Sequence, residues 1–358
     1  SQVEWVEEES YFFKLSSWEK KLLKFYADNE NFILPISRRN EVINFVKGGL
    51  KDLSISRTSF TWGIKVPNNE KHIIYVWLDA LTNYLSALNF PDTNNELYKD
   101  FWPASIHVIG KDILRFHAIY WPAFLLAANL KPPKRIFGHG WILSGDEKMS
   151  KSKGNILNPL EIIKIYGIDE LRYYLMKEVA HGSDGNVSLK SLENCINSDL
   201  ANNYGNLCQR IFSFIKNNCS NEINKSQKDS ESDKILINET NKLTKNLVNE
   251  MNNQNLNNYI KSVIDISFLT NKYINDEEPW KLKKTNLDKM NNILHISIEQ
   301  IAKISILLNP IIPISTSKVL DSLNIESELR NLSFLKGKNI LSKKVKIKNL
   351  DILFKKIV

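Results

Sequence analysis

Cysteine is scarce here. Cys195, Cys208 and Cys219 are the three thiols in 358 residues, too few and too scattered for a disulfide framework. None stands in a C-x-x-C pair, so neither a structural zinc site nor dithiol redox chemistry is expected, and a reducing cytoplasm is the expected setting. Long apolar runs are missing too, so no membrane span is expected. The opening residues carry Glu4, Glu7, Glu8 and Glu9 and do not read as a secretory leader. No Ser-His-Asp set or carboxylate pair suggests itself. His72, His181 and His295 show no ligand spacing and read as structural.

What is present is ordinary globular chemistry. Hydrophobic residues make up 42% and charged residues 25%, in a chain long enough for two or three domains. The formal charge is +8, and residues 325–358 hold nine Lys or Arg against three Asp or Glu, a net +6. That asymmetry suits a polyanion such as RNA, although a basic tail is equally a solvated surface.

Along the chain, residues 18–27 read as a helix, and a second helix ends before Gly48-Gly49. Residues 59–66 alternate like a strand and 73–76 read as a buried one. A helix is predicted over 79–88, a strand over 106–109, a helix over 111–128 interrupted near Pro122, and a strand over 134–137. Strands alternating with helices predict a parallel sheet, with ligands at the carboxyl ends of its strands. Asn158-Pro159-Leu160-Glu161 has the form of a capped helix start, and Gly167 of its end. From Ser198 onward the pattern is helical: Leu200, Tyr204, Leu207, Ile211 and Ile215 keep one face apolar. Residues 221–233 read as a polar loop.

Three groups of residues carry chemistry. Lys148-Met149-Ser150-Lys151-Ser152, flanked by Gly145 and Gly154, puts two ammonium groups and two hydroxyls on one glycine-flanked loop. Such a clamp suits a triphosphate under attack at its α-phosphorus, because charge builds on the departing pyrophosphate. Trp77, Ala80 and Tyr84 precede Ile113, Phe116, His117 and Trp121; their aromatic faces suit a polarizable thioether, though each alone is as readily core. Asn203, Asn206, Arg210, Ser213 and Asn217 form a polar stripe. Asn206 and Arg210 are one turn apart, an amide beside a guanidinium that can read unpaired base edges. Trp280 follows Pro279 at a helix start and is placed to stack on a base if exposed.

The blocks Trp77-Leu78-Asp79-Ala80, Ile109-Gly110-Lys111-Asp112-Ile113 with Phe116-His117, and His139-Gly140-Trp141 leading to the lysine loop are together highly specific. The chain resembles the class I aminoacyl-tRNA synthetases, the methionyl-tRNA synthetase family in particular, from Val3 to its end. The resemblance implies an α/β plus all-α fold: the second half of a class I Rossmann-type catalytic domain, then an α-helical anticodon-binding bundle. The implied divisions are 1–55 (remnant of a connective-peptide insertion), 56–145 (second half of the Rossmann domain), 146–197 (lysine loop and stem-contact region) and 198–358 (anticodon-binding domain with tail).

It also implies roles. Lys148 and Lys151 would hold ATP phosphates, with Ser150 and Ser152 adding hydrogen bonds. Gly110 and Asp112 would approach the ribose, and the backbone of Trp141 and Ile142 would read adenine, with His139 beside them. Asp112 is as readily a helix N-cap. Trp77, Ala80, Tyr84, Ile113, Phe116, His117 and Trp121 would form the methionine pocket, Tyr84 and His117 contacting sulfur. Asn206, Arg210 and Trp280 would bind the anticodon of tRNA(Met). ATP with Mg²⁺ is implied; no zinc site is expected within this chain, and a monomer is expected.

The histidine motif H-I-G-H of that family does not occur in these residues, so the chain is expected to be a C-terminal part, inactive alone in forming the adenylate. Competing readings are another class I synthetase, for cysteine, leucine, isoleucine or valine, and a non-catalytic tRNA-binding module.

Overall fold

The computed structural model describes residues 7–144, 157–179, 182–225, 228–333, 335 and 339–357, and the backbone of 147–148. Two compact units are present, Ser1–Trp141 and Ile142–Val358.

In the first unit a parallel sheet forms from β1 (Ile33–Leu34), β5 (His107–Gly110) and β6 (Ile136–His139), with β6 in the centre. Gly110 pairs with His139, so the carboxyl ends of β5 and β6 lie side by side. The helices α1 (Glu19–Asp28) and α2 (Ile36–Lys47) pack on this sheet: Leu22, Tyr26, Val42 and Val46 share one core with Ile109, Leu114, Ile119 and Ile136. Residues 15–50 therefore belong physically to the sheet.

Two strand expectations need correction. Residues 59–64 form no strand; only β3 (Lys65–Val66) does. Between β2 (Ser56–Arg57) and β3 lies β4 (Asn69–Ile74), in a separate antiparallel sheet rather than the parallel one. The reason lies in connection length, because two residues suffice for an antiparallel reversal whereas a parallel return needs a crossover. The helix α3 (Val76–Ser86) begins three residues earlier than predicted.

After β5 the chain is helical from Lys111 to Ala127, but not uniformly. A 3₁₀ turn spans Lys111–Ile113, a π turn spans Phe116–Tyr120, and α4 covers Trp121–Ala127. The backbone N–H of Trp121 donates to Phe116 O, five residues back. Pro122 has no N–H, and its ring crowds the carbonyl four residues earlier. The irregularity expected at Pro122 is thus a widened turn immediately before it.

The second unit opens with β7 (Ile142–Ser144), which pairs antiparallel with β8 (Glu147–Lys148) and parallel with β9 (Gly185–Asn186). In α5 (Pro159–Tyr166) the Asn158 side chain caps Leu160 N at 3.0 Å, and Gly167 ends the helix at φ 110°. A bundle follows: a π segment (Ile196–Gly205), α6 (Asn206–Asn218), α7 (Glu231–Thr244), α8 (Leu256–Glu277), α9 (Leu287–Leu308) and α10 (Pro313–Ser322). Leu200, Tyr204, Leu207, Ile211 and Ile215 are all buried, the apolar face read from spacing. No helix of the described residues is long and apolar enough to cross a membrane.

The expected loop at 221–233 is in part a strand, β10 (Glu222–Asn224), paired antiparallel with β11 (Lys344–Lys346). Val345 and Ile347 point into the bundle while Lys344 and Lys346 stay exposed. That alternation is a strand pattern of period two, disguised by its lysines. The basic tail is therefore part of the fold here.

Gly205 lies where the π segment passes into α6. A Cβ there would stand 2.7 Å from Leu200 O and 3.1 Å from Phe354 Cδ2. Gly205→Ala should destabilise the chain by about 1–3 kcal/mol, the usual range for overpacking, read as a lower denaturation midpoint with unchanged slope.

Candidate functional site: an aromatic cage and a cation–indole surface

In the first unit α3 sets Trp77, Ala80 and Tyr84 at i, i+3 and i+7, on one face. The π turn sets Phe116 and His117 opposite. Trp77 and Phe116 stack at a centroid distance of 3.7 Å and 11° between planes. Trp77 meets His117 edge-on at 6.4 Å, and Tyr84 lies 6.3 Å from Trp121. All seven predicted cage residues thus fall on two helical segments or their 3₁₀ lead-in, and Ala80, between Trp77 and Tyr84 on α3, is exposed.

Hydrogen-bond chemistry fixes the protons. His117 Nδ1 lies 3.0 Å from Ile113 O, and a carbonyl only accepts, so Nδ1 carries hydrogen. Burial holds the imidazole pKa below its ordinary value, so the ring is neutral and Nε2 is an acceptor. The Tyr84 hydroxyl donates to it at 2.9 Å. Burial raises the Tyr84 pKa, which keeps that proton in place. In this arrangement Tyr84 and His117 are spent on one another, leaving ring faces and edges for an apolar guest.

Sequence reasoning missed two members of the cluster. His107 meets Tyr84 edge-on at 4.0 Å, and Trp102 meets Trp121 at 6.1 Å. Tyr84, Trp102 and His107 line a cavity of about 530 Å³. His107 falls inside the strand predicted over 106–109 without any signal of its own, and Trp102 sits outside any periodic pattern. Burial, and secondarily the neighbouring His117, push the His107 pKa down to about 4.

The predicted nucleotide residues cluster at the sheet's carboxyl end. Gly110 and His139 end adjacent strands, and His139 Nδ1 lies 2.8 Å from Gly140 O. A Cβ on Gly110 would meet Asp112 Oδ1 at 2.6 Å, so only glycine lets that carboxylate approach. The expected N-cap role for Asp112 does not hold: Gly110 occupies the cap position and Asp112 the first turn. Its carboxylate accepts from Trp141 Nε1 at 3.5 Å, and Lys111 Nζ lies 4.2 Å from the Trp141 ring centre. Ile142 is the first residue of β7, in the second unit. The backbone of Lys148 pairs with Leu143, so Glu147–Lys148 folds back on β7. Ser150, Lys151 and Ser152 lie outside the described residues.

In the second unit Arg210 donates to Asn275 Oδ1 at 2.8 Å, and its guanidinium carbon lies 5.7 Å from the Trp280 ring centre. Trp280 is 41% exposed, so its indole is not a buried anchor. Glu278 in the left-handed region (φ 45°, ψ 58°) and Pro279 at the first helical position aim the indole outward. Arg210 and Trp280 line a cavity of about 360 Å³ with Phe214 and Leu294. Asn206 is half-buried one turn before Arg210. Asn203, placed on this stripe from sequence, is instead buried, accepting from Ser267 Oγ at 2.8 Å and Asn271 Nδ2 at 3.0 Å. Helical spacing shifts across the π segment that ends at Gly205, which turns Asn203 inward.

With this geometry in hand, comparison with known proteins is direct. Residues 1–212 match the family "tRNA synthetases class I (M)", and residues 223–358 match "Anticodon binding domain of methionyl tRNA ligase". A methionine–tRNA ligase of Rickettsia typhi is 48% identical over 99% of this chain and 70% of its own length. That of Brucella suis is 47% identical over 92% of this chain and 64% of its own. The chain spans about two thirds of such relatives. Among solved structures, Mycobacterium tuberculosis methionyl-tRNA synthetase bound by methionyl-adenylate superposes with a TM-score of 0.94 at 39% identity, over 98% of this chain and 70% of that one. Its free state gives 0.93 at 37%.

The low pKa of His107 has a consequence for stability. Between pH 6.5 and about 4 the unfolded chain protonates this ring and the folded chain does not, so stability present above pH 6.5 is lost on acidification. The loss should be on the order of 3 kcal/mol. Denaturation midpoints from pH 7 to 4 should fall less steeply in His107→Gln; equal slopes would contradict this account.

Proposed function

We propose that this chain, which belongs to the class I tRNA synthetase (M) family, forms the methionine-caging, phosphate-clamping and anticodon-reading parts of a methionine–tRNA ligase. The observation that carries this reading is the cage built by the Trp77–Phe116 stack and the Tyr84–His117 hydrogen bond. A thioether is polarizable and only weakly polar, and aromatic faces and edges hold it well. A sulfur against these ring faces and edges gains contacts that a methylene lacks.

The reaction has two steps. The methionine carboxylate attacks the ATP α-phosphorus, a P–O bond to pyrophosphate breaks, and methionyl-adenylate forms. A terminal ribose hydroxyl of tRNA then attacks the acyl carbon, and AMP leaves. Positioning and electrostatic stabilisation suffice, with no covalent enzyme intermediate. Lys148 and Lys151 take the phosphate charge, with Ser150 and Ser152 beside them. Gly110 and Asp112 face the ribose, and His139, Trp141 and Ile142 the adenine. Mg²⁺ accompanies ATP. Among the described residues no group of three His, Cys, Asp or Glu stands together as ligands. Asn206, Arg210 and Trp280 read the anticodon: Trp280 stacks on a base while Arg210 donates to base edges.

The H-I-G-H motif is not among these residues, and we propose that the 358-residue chain alone binds methionine and anticodon without forming the adenylate. Methionine-dependent pyrophosphate exchange should be at background, and robust exchange would overturn this. Trp77→Ala should weaken methionine binding at least ten-fold by calorimetry, because the stacking partner of Phe116 is lost. Trp280→Ala should weaken an anticodon stem-loop by about 1–3 kcal/mol, the usual worth of one stacked base. A scrambled-anticodon loop, titrated alongside, should bind both forms equally.

A further inference from the structure

The segment carrying Phe116, His117 and Trp121 is held from behind by a residue outside the cage. We propose that Tyr26 is a positioning residue for the methionine cage: its hydroxyl donates to Ala118 O at 2.6 Å and so holds the π turn in register. The inference rests on reading the cage as the methionine site.

Ala118 is fully buried, and the donor that its carbonyl would meet in an α-helix is the N–H that Pro122 does not have. The Tyr26 hydroxyl takes that place. Tyr26 comes from α1, 92 residues earlier, and is itself 1% exposed. Its ring stacks on Phe32 at 6.0 Å and meets Phe25 edge-on at 6.0 Å, so the hydroxyl is aimed by a packed core. Burial raises the phenol pKa, and the group stays a donor at any working pH.

The π turn matters because of what it does to spacing. In an α-helix, residues five apart diverge by about 140° around the axis. The widened turn, closed by Trp121 N–H on Phe116 O, brings them nearer to one face. Phe116 can then stack on Trp77 while Trp121 faces Tyr84. Without the Tyr26 hydroxyl, the Ala118 carbonyl is left buried without that donor, and the segment relieves this by shifting. The cage residues ride on that shift, although none of them touches Tyr26 through a hydrogen bond described here.

The test compares the 358-residue chain with Tyr26→Phe, which keeps the ring, and with Val42→Ala, a core deletion in the same cluster that serves as stability control. Methionine titration by calorimetry and peptide-resolved hydrogen exchange are read on all three. Tyr26→Phe should bind methionine about ten-fold more weakly, and exchange should accelerate over residues 111–127 but not over 76–86. Val42→Ala should show no such localisation. Unchanged affinity together with exchange like that of the control overturns the proposal. If the parent chain binds no methionine, the proposed function fails instead, and exchange alone decides: acceleration confined to 111–127 sustains the hold of Tyr26, and its absence refutes it.

Discussion

The hydrogen bond from Trp121 N–H to Phe116 O is the constraint on which the first unit's chemistry depends. A proline at 122 denies the helix its regular ladder, and the chain answers with one wide turn. That turn decides which side chains can face α3. Phe116, His117 and Trp121 occupy a wall that no ideal helix would build from positions i, i+1 and i+5. The Tyr84–His117 bond then closes the opposite corner, with every proton assigned by burial and by one backbone carbonyl.

The two units solve burial of polar groups differently. The first fills its cleft with rings and, by burial, keeps His107 and His117 neutral, so their charge never has to be desolvated. The second threads hydroxyls and amides through a helical core. Tyr204 meets Ser305 at 2.7 Å, Thr240 donates to Gln300 at 3.0 Å, and Asp233 receives Tyr273, Asn292 and the backbone of Ser230. Such paired groups specify which helix faces which, since a slipped register would strand them. Arg210 and Trp280 are thereby presented on a surface whose support is fixed.

Much of this was legible beforehand, and the boundary of legibility is physical. Asn158, Pro159 and Gly167 announced α5 because caps act within a few residues. The apolar positions of α6 announced its buried face for the same reason. The cage residues could be named from their motifs, but not the π turn that arranges them: Pro122 signals a break without saying of what kind. Tyr26, Trp102 and His107 stayed hidden because their contacts cross wide sequence separations. Asn203 was assigned outward by a period that the π segment does not keep. The strand at Lys344–Lys346 was concealed by its own lysines, whose charge outweighed the alternation beneath.

That last strand changes how the helical unit holds its shape. Glu222–Asn224 and Lys344–Lys346 are each other's backbone partners, although about 120 residues separate them in sequence. The bundle is consequently a closed loop rather than a row of helices with a loose end. Neither rim can fray without surrendering amide bonds on the other, and Ile223 and Val345 would both be wetted at once. Cooperativity follows from this clasp: the helices between its halves stand or melt together.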